Sequence, residues 1–159
     1  MRIGIVSDTH GQVEFALQAV RLLESLEIAL VVHCGDVGSA EVVRVFAAWP
    51  CHYVLGNVDD ERTLPAAIAA AGQKCHGRFG SLLLEGRKLA WLHGDDEPLL
   101  DRTIACGAWD LVCHGHTHVP RCERLGRTLV LNPGALYRAR RHTVAIVELP
   151  SLEAAVLDV

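Results

Sequence analysis

The chain has 159 residues, half of them hydrophobic and 21% charged, with a formal net charge of −4. That length is one domain with enough interior for a real core, and the composition is that of an ordinary globular protein. The negative charge excludes a basic field that would hold nucleic acid, so no stable nucleic-acid binding is expected, and no apolar stretch approaches the roughly 20 residues of a membrane span.

Met1-Arg2 leads directly into an apolar run, Ile3-Gly4-Ile5-Val6-Ser7, which reads as a first buried strand with no secretory leader before it. Val13, Ala16, Leu17 and Val20 then follow helical spacing and predict a helix over 13–25. Ala29–Cys34 is a second buried strand, Ser39 caps a second helix carrying Val42, Val43 and Phe46, and Tyr53-Val54-Leu55 is a third strand. Strand–helix–strand–helix–strand implies parallel strands joined by right-handed crossovers.

The second half changes character. Arg78–Leu84 and Arg87–His93 flank Glu85-Gly86, a hairpin signal, and Asp96-Glu97-Pro98 opens a helix through about Cys106. Leu111-Val112-Cys113 is another buried strand. Arg121–Leu125 with Thr128–Leu131, and Thr143–Leu149 with Leu152–Leu157, read as two more hairpins. A parallel half followed by an antiparallel half suggests two sheets packed face to face with helices outside. The six cysteines form no Cys-x-x-Cys pair, so they read as reduced thiols, small buried hydrophobes, in a cytoplasmic protein.

Chemistry-bearing residues follow five of these strands: Asp8-Thr9-His10-Gly11, Gly35-Asp36, Gly56-Asn57-Val58-Asp59, His93-Gly94 and Gly115-His116-Thr117-His118. In open α/β sheets ligands collect beyond the carboxyl ends of strands, so these side chains are expected at one edge. Carboxylate, imidazole and amide donors without thiolates suit borderline divalent ions. Two such ions a few ångströms apart can share a carboxylate and activate a water for attack at phosphorus.

These motifs, in this order, resemble the calcineurin-like metallophosphoesterase superfamily. The short chain, and a Gly-Asn not followed by His, resemble its small single-domain phosphodiesterase branch. The resemblance implies one domain over residues 1–159, an α/β fold of two packed mixed β-sheets flanked by helices (an αββα sandwich). It implies Asp8, His10, Asp36 and His118 on one metal and Asp36, Asn57, His93 and His116 on the other, with Asp36 bridging. It also implies hydrolysis of phosphodiester bonds by a metal-bridging hydroxide, with Asp36, Asn57 and Asp59 as the catalytic residues. Mn is the expected ion, with Ni, Fe, Co and Zn open, and a small phosphate ester is the expected substrate. A phosphomonoesterase or nucleotide phosphatase, and a non-catalytic protein-binding scaffold of the same fold, stand as alternatives; self-association is open.

Two positions depart from the family pattern. Val58 stands where many members carry a His that protonates the leaving group, and Ala135 replaces the Ser after Asn132-Pro133-Gly134. Asp59 reads as a partner of the ligands or as a turn residue. His76 reads as an exposed loop histidine or as a substitute acid. His33 and His114 read as buried, hydrogen-bonded histidines, and Arg138, Arg140 and Arg141 as a solvated basic face or a phosphate grip.

Overall fold

The computed structural model describes residues 1–159. Its first half runs β1 (Arg2–Val6), α1 (Val13–Glu24), β2 (Leu30–His33), α2 (Ala40–Val45), β3 (Cys51–Tyr53), α3 (Leu64–Ala70) and β4 (Lys74–Cys75). Its second half runs β5 (Phe79–Leu84), β6 (Arg87–Leu92), α4 (Glu97–Ala105), β7 (Leu111–Cys113), β8 (Arg121–Leu125), β9 (Thr128–Asn132), β10 (Thr143–Glu148) and β11 (Glu153–Asp158). Two mixed sheets result, one in the order β11-β10-β1-β2-β3-β4 and the other β5-β6-β7-β9-β8.

The period-2 alternation of the strands decides how they stack. Ile3, Ile5, Leu30 and Val32 of the first sheet meet Leu89, Trp91, Leu111 and Leu131 of the second in one buried cluster between the sheets. Val6 and Val31 point the other way, onto the apolar faces of α1, α2 and α3. Ala16, Ala19, Val20 and Leu23 of α1 are all buried there, at the helical spacing seen in the sequence. On the far face of the second sheet, Ala90, Leu92 and Val112 pack under Leu100 of α4. The four layers are therefore helix, sheet, sheet, helix, as the resemblance implied.

The Ser39 cap forms as expected, and Asp96 caps α4, a role the sequence reading did not single out. The Ser39 side chain accepts from the Val42 N–H at 3.3 Å, and Asp96 accepts from Leu99 at 3.0 Å.

Several sequence expectations are corrected. The third strand lies at Cys51–Tyr53, because the chain leaves the ladder after Tyr53 to reach Gly56. The short α3 and two-residue β4 were not foreseen: Leu64 and Ile68 alone make the buried face of α3, too little pattern to read. The second half is not simply antiparallel. β6, β7 and β9 are parallel to one another, with α4 as the crossover between β6 and β7. The last hairpin joins the first sheet, with β10 antiparallel to β1.

Nor are all the cysteines interior. Cys34, Cys51 and Cys113 are buried, but Cys106 and Cys122 are exposed, at the end of α4 and on the edge strand β8. No helix is long and apolar enough to cross a membrane.

Candidate metal centre

The parallel strands β1, β2 and β3 of one sheet and β6 and β7 of the other end at the same edge, and the loops after them are tied together. The Asp8 N–H donates to Gly35 O at 3.0 Å, His10 N–H to Asp36 O at 2.8 Å, and Gly115 N–H to His93 O at 2.9 Å. Five candidate ligands, Asp8, His10, Asp36, His116 and His118, have φ between 48° and 67°, the left-handed region. Asp and His tolerate that region better than most residues, and strain there collects at functional sites. Two glycines are dictated by close approach. A Cβ on Gly56 would collide with the Asp36 carboxylate, and one on Gly115 with Ser7 Oγ and Asp8 Oδ2.

Two overlapping groups of ligand atoms converge within 4.8 Å of one another: Asp8, His10 and His118, and Asp8, Asp36 and His93. Asp36 Oδ2 lies 3.7 Å from His10 Nε2 and 3.4 Å from His93 Nε2, between an imidazole of each expected set. Asp8 Oδ1 lies 3.2 Å from His118 Nε2 and 3.8 Å from His10 Nε2. Asn57 Oδ1 is 3.1 Å from His93 Nε2. His116 is exposed and joins neither group: its backbone N–H donates to Asp8 Oδ2 at 3.1 Å, and its ring packs edge-on against His93 with centroids 5.1 Å apart.

The hydrogen bonds around this cluster fit a bound cation. Asp8 Oδ2 accepts from Ser7 Oγ at 2.6 Å, while Asp8 Oδ1 is buried with no hydrogen-bond partner. A buried carboxylate oxygen left unpaired is costly unless a cation takes it. His93 Nδ1 donates to Cys34 O at 2.9 Å, and His118 Nδ1 to Arg138 O at 3.2 Å. With those protons held on backbone carbonyls, each ring presents Nε2 to the cluster, the arrangement that orients metal-ligating histidines.

Electrostatics say the same. Burial raises the pKa of Asp8, with the Asp36 charge adding to it and Ser7 opposing. Burial also pushes Asp36 upward, but the hydrogen bond and charge of His93 outweigh it and hold Asp36 below the usual carboxylate range. Burial opposes protonation of His93, but Asp36 reverses this and raises its pKa. His10 is lowered, chiefly by burial. Without a cation the Asp36 carboxylate therefore favours the protonated form of His93.

Three residues outside the ligand set, Asp59, His33 and Asn132, clamp the loops that carry it. Asp59 accepts from Val37 N–H at 3.1 Å, Gly38 N–H at 2.8 Å and Gly56 N–H at 2.9 Å, which locks the Asp36 and Asn57 loops together. Its place in the expected catalytic set is thus a positioning one. His33 accepts from Gly35 N–H at 3.3 Å through Nδ1, so its Nε2 donates to Thr9 Oγ1 at 3.0 Å, and Thr9 donates to Val37 O at 2.9 Å. Asn132, within Asn132-Pro133-Gly134, acts on the last ligand loop. Its amide donates to Gly115 O at 2.9 Å and Thr117 Oγ1 at 3.0 Å, fixing the loop that carries His116 and His118. His76 hydrogen-bonds His52 at 2.8 Å and packs on Trp91, so its ring is engaged outside the ligand cluster. Val58 is 56% exposed; its N–H donates to Asp36 Oδ1 at 3.2 Å, and its side chain offers no proton.

With this geometry in place, comparison with known proteins is decisive. The model of the calcineurin-like phosphoesterase superfamily domain matches residues 1–151. The chain belongs to that superfamily. It is 31% identical over 138 residues to a protein of Methanocaldococcus jannaschii named Phosphodiesterase MJ0936, covering 84% of this chain and 83% of that protein. It is 35% identical over 152 residues to a probable metallophosphoesterase of Bacillus subtilis, YsnB, covering 89% and 79% of the two chains. The solved structure of an archaeal phosphodiesterase superposes with a TM-score of 0.91 at 28% identity, covering 100% of both chains. Superfamily membership carries divalent-metal phosphoester chemistry with it, and the cluster above is where this chain has the donors for it.

Two pH effects follow in the metal-free protein. Burial pushes the His33 pKa down to about 3, from 6.5 in the unfolded chain. The unfolded state therefore binds the extra proton between those values, and stability is lost as pH falls from about 6.5 toward 3. Urea unfolding midpoints across pH 7 to 4 should show this, with a slope shallower by about one proton in His33→Asn. An unchanged slope would mean that His33 is already protonated when folded. For His93 the pKa is raised, so an ion taking its Nε2 competes with a proton. Mn affinity should rise from pH 6 to 8, and titration calorimetry in buffers of different ionisation enthalpy should detect proton release on binding.

Proposed function

We propose that this chain is a metal-dependent phosphodiesterase with two divalent ions in the Asp8/Asp36 cluster. One observation carries the reading: Asp36 Oδ2 lies between His10 and His93, beside a buried Asp8 oxygen that has no other partner. Asp8, His10, Asp36 and His118 would hold one ion. Asp36, Asn57 and His93 would hold the other, with His116 completing that set by turning its exposed ring inward. Mn is the ion to load first; Ni, Fe, Co and Zn accept the same donors. When bound, such a pair supplies Lewis-acid activation of water and neutralises charge developing on the phosphoryl oxygens. The name of the M. jannaschii relative supports a diester substrate, and the six unpaired thiols support a cytoplasmic setting.

The protein's own part is to hold these donors rigidly and to manage protons. Asp59, His33 and Asn132 fix the loops, so the donors need little rearrangement to engage an ion. Ser7 and the His116 N–H keep one Asp8 oxygen occupied and turn the other inward. Val58 leaves the leaving-group side without a side-chain acid, and His76, held by His52 and Trp91, does not replace it. Leaving-group protonation then falls to solvent.

Mn-loaded protein should retain close to two ions per chain and hydrolyse bis(p-nitrophenyl) phosphate, and Asp36→Asn should lose on the order of 10³-fold in kcat. A stoichiometry near zero would turn the reading to a scaffold, and a preference for monoesters would turn it to a phosphomonoesterase. Because general acid assistance contributes about 10²–10⁴-fold and matters most for poor leaving groups, rates should fall steeply from aryl to alkyl diesters. Val58→Ala should leave that slope unchanged, and a shallow slope in the wild type would reveal an acid elsewhere.

A further inference from the structure

Charge is distributed unevenly around the cluster. On the Asn57 and His93 side the neighbours are acidic: Asp60 and Glu61 are exposed beside Asn57, and Asp95, Asp96 and Glu97 follow His93-Gly94. Two arginines lie on that side as well, Arg78, ion-paired to Asp95, and Arg62, next to Glu61, so five acidic residues there face two arginines. On the His118 side the loop Tyr137–Arg141 brings three arginines. Arg141 is paired to Asp158 through two bonds of 2.8 Å, while Arg138 and Arg140 are exposed and have no carboxylate at ion-pair distance.

That loop is part of the site rather than a loose surface segment. Its Arg138 carbonyl receives the His118 Nδ1 proton, which sets the ring of a candidate ligand. The Arg138 guanidinium lies over the Tyr137 ring, 5.6 Å from its centroid, and Tyr137 lies 6.1 Å from the His10 ring. Both ends of the loop are anchored. Leu136 N–H donates to Ser7 O at 3.2 Å, Thr143 N–H donates to Ala135 O at 3.2 Å, and His142 packs edge-on against Phe15 at 4.2 Å. A loop held this way loses little freedom when it binds a ligand. Between it and the loop after β7 lies a pocket of about 220 Å³ lined by His118, Val119, Pro120, Arg140 and Arg141. That volume is smaller than the roughly 300–1,000 Å³ of whole-ligand sites, so it suits one arm of a substrate. Val119, 63% exposed, and Pro120 give it an apolar wall beside the arginines.

We propose that this pocket, with Arg138 and Arg140, binds a second anionic group on one ester arm of the substrate, so that the preferred diesters carry a further phosphate on the arm directed past His118. The inference rests on the phosphodiesterase reading and narrows its substrate class. The geometry gives it a direction: the acidic side of the cluster repels the extra phosphate, the unpaired arginines attract it, and the apolar wall receives the ring that joins the two phosphates. Arginine suits this because its planar donors pair with phosphate oxygens two at a time.

A matched substrate pair tests it: thymidine 5′-(p-nitrophenyl phosphate) with and without a 3′-phosphate. The Mn-loaded wild type should favour the 3′-phosphorylated compound about tenfold in kcat/KM, mostly through KM, and the preference should shrink as salt rises. In Arg138→Gln/Arg140→Gln the ratio should fall to near one, and lysine at both positions should restore part of it. A wild-type ratio near one, or a ratio unchanged in the double variant, overturns the proposal. A second readout needs no turnover: thymidine 3′,5′-bisphosphate should bind the metal-free wild type several-fold more tightly than the metal-free double variant, and equal binding overturns the subsite. Failure of the wild type to hydrolyse bis(p-nitrophenyl) phosphate removes the diesterase reading instead, and the subsite is then decided by the binding measurement.

Discussion

Two carboxylates, Asp8 and Asp36, are buried together at a sheet edge, and the rest of the site is arranged around that burial. Side by side in a low-dielectric setting they repel each other and lose hydration. Burial drives Asp8 upward in pKa, while His93 holds Asp36 down. The remaining Asp8 oxygen finds no donor in the protein. A cluster built this way is incomplete until positive charge enters it, which is why the donors read as a metal centre rather than as an ordinary buried network.

Holding that arrangement takes backbone conformations that most side chains avoid. The ligand loops place Asp8, His10, Asp36, His116 and His118 in left-handed geometry. Such strain persists only where the surroundings over-determine it. Here Asp59 gathers three backbone N–H groups from two loops, His33 and Thr9 link two more, and Asn132 fastens the last. None of these needs to touch substrate. They act by removing alternatives for the residues that do, and Gly56 and Gly115 serve the same end by leaving room for carboxylates at van der Waals distance.

The same loops give the site a polarity that the net charge conceals. A chain of net charge −4 is not an obvious binder of phosphate esters. Local fields matter more than the total, because charges beyond about a Debye length are screened. Acidic neighbours on the His93 side and unpaired arginines on the His118 side make the two approaches to the cluster different. An anionic ester would therefore enter in one orientation. The missing acid at Val58 fits a catalyst that relies on positioning and charge neutralisation more than on proton delivery to the leaving group.

Much of this was legible in the chain itself. Strands and helices announce themselves by local periodicity, so α1, α4, the hairpins and the strands before every motif except Gly56-Asn57 lay close to their expected places. The candidate donors that the structure gathers, Asp8, His10, Asp36, His93 and His118, were legible too, because donor chemistry depends on residue type and on position after a strand. The short α3 and β4 carried too few apolar positions to be seen. Only the tertiary structure decided what depends on contacts between distant segments: that β6, β7 and β9 run parallel, that the last hairpin returns to β1, and that Asp8 offers one free oxygen. It also decided that Asp59 serves the backbone and that His76 belongs to His52. The physical reason is the same in each case. Sequence pattern encodes which face of an element is apolar and which residues can bind a cation, whereas strand partners and hydrogen-bond acceptors are chosen by packing between segments that are far apart along the chain.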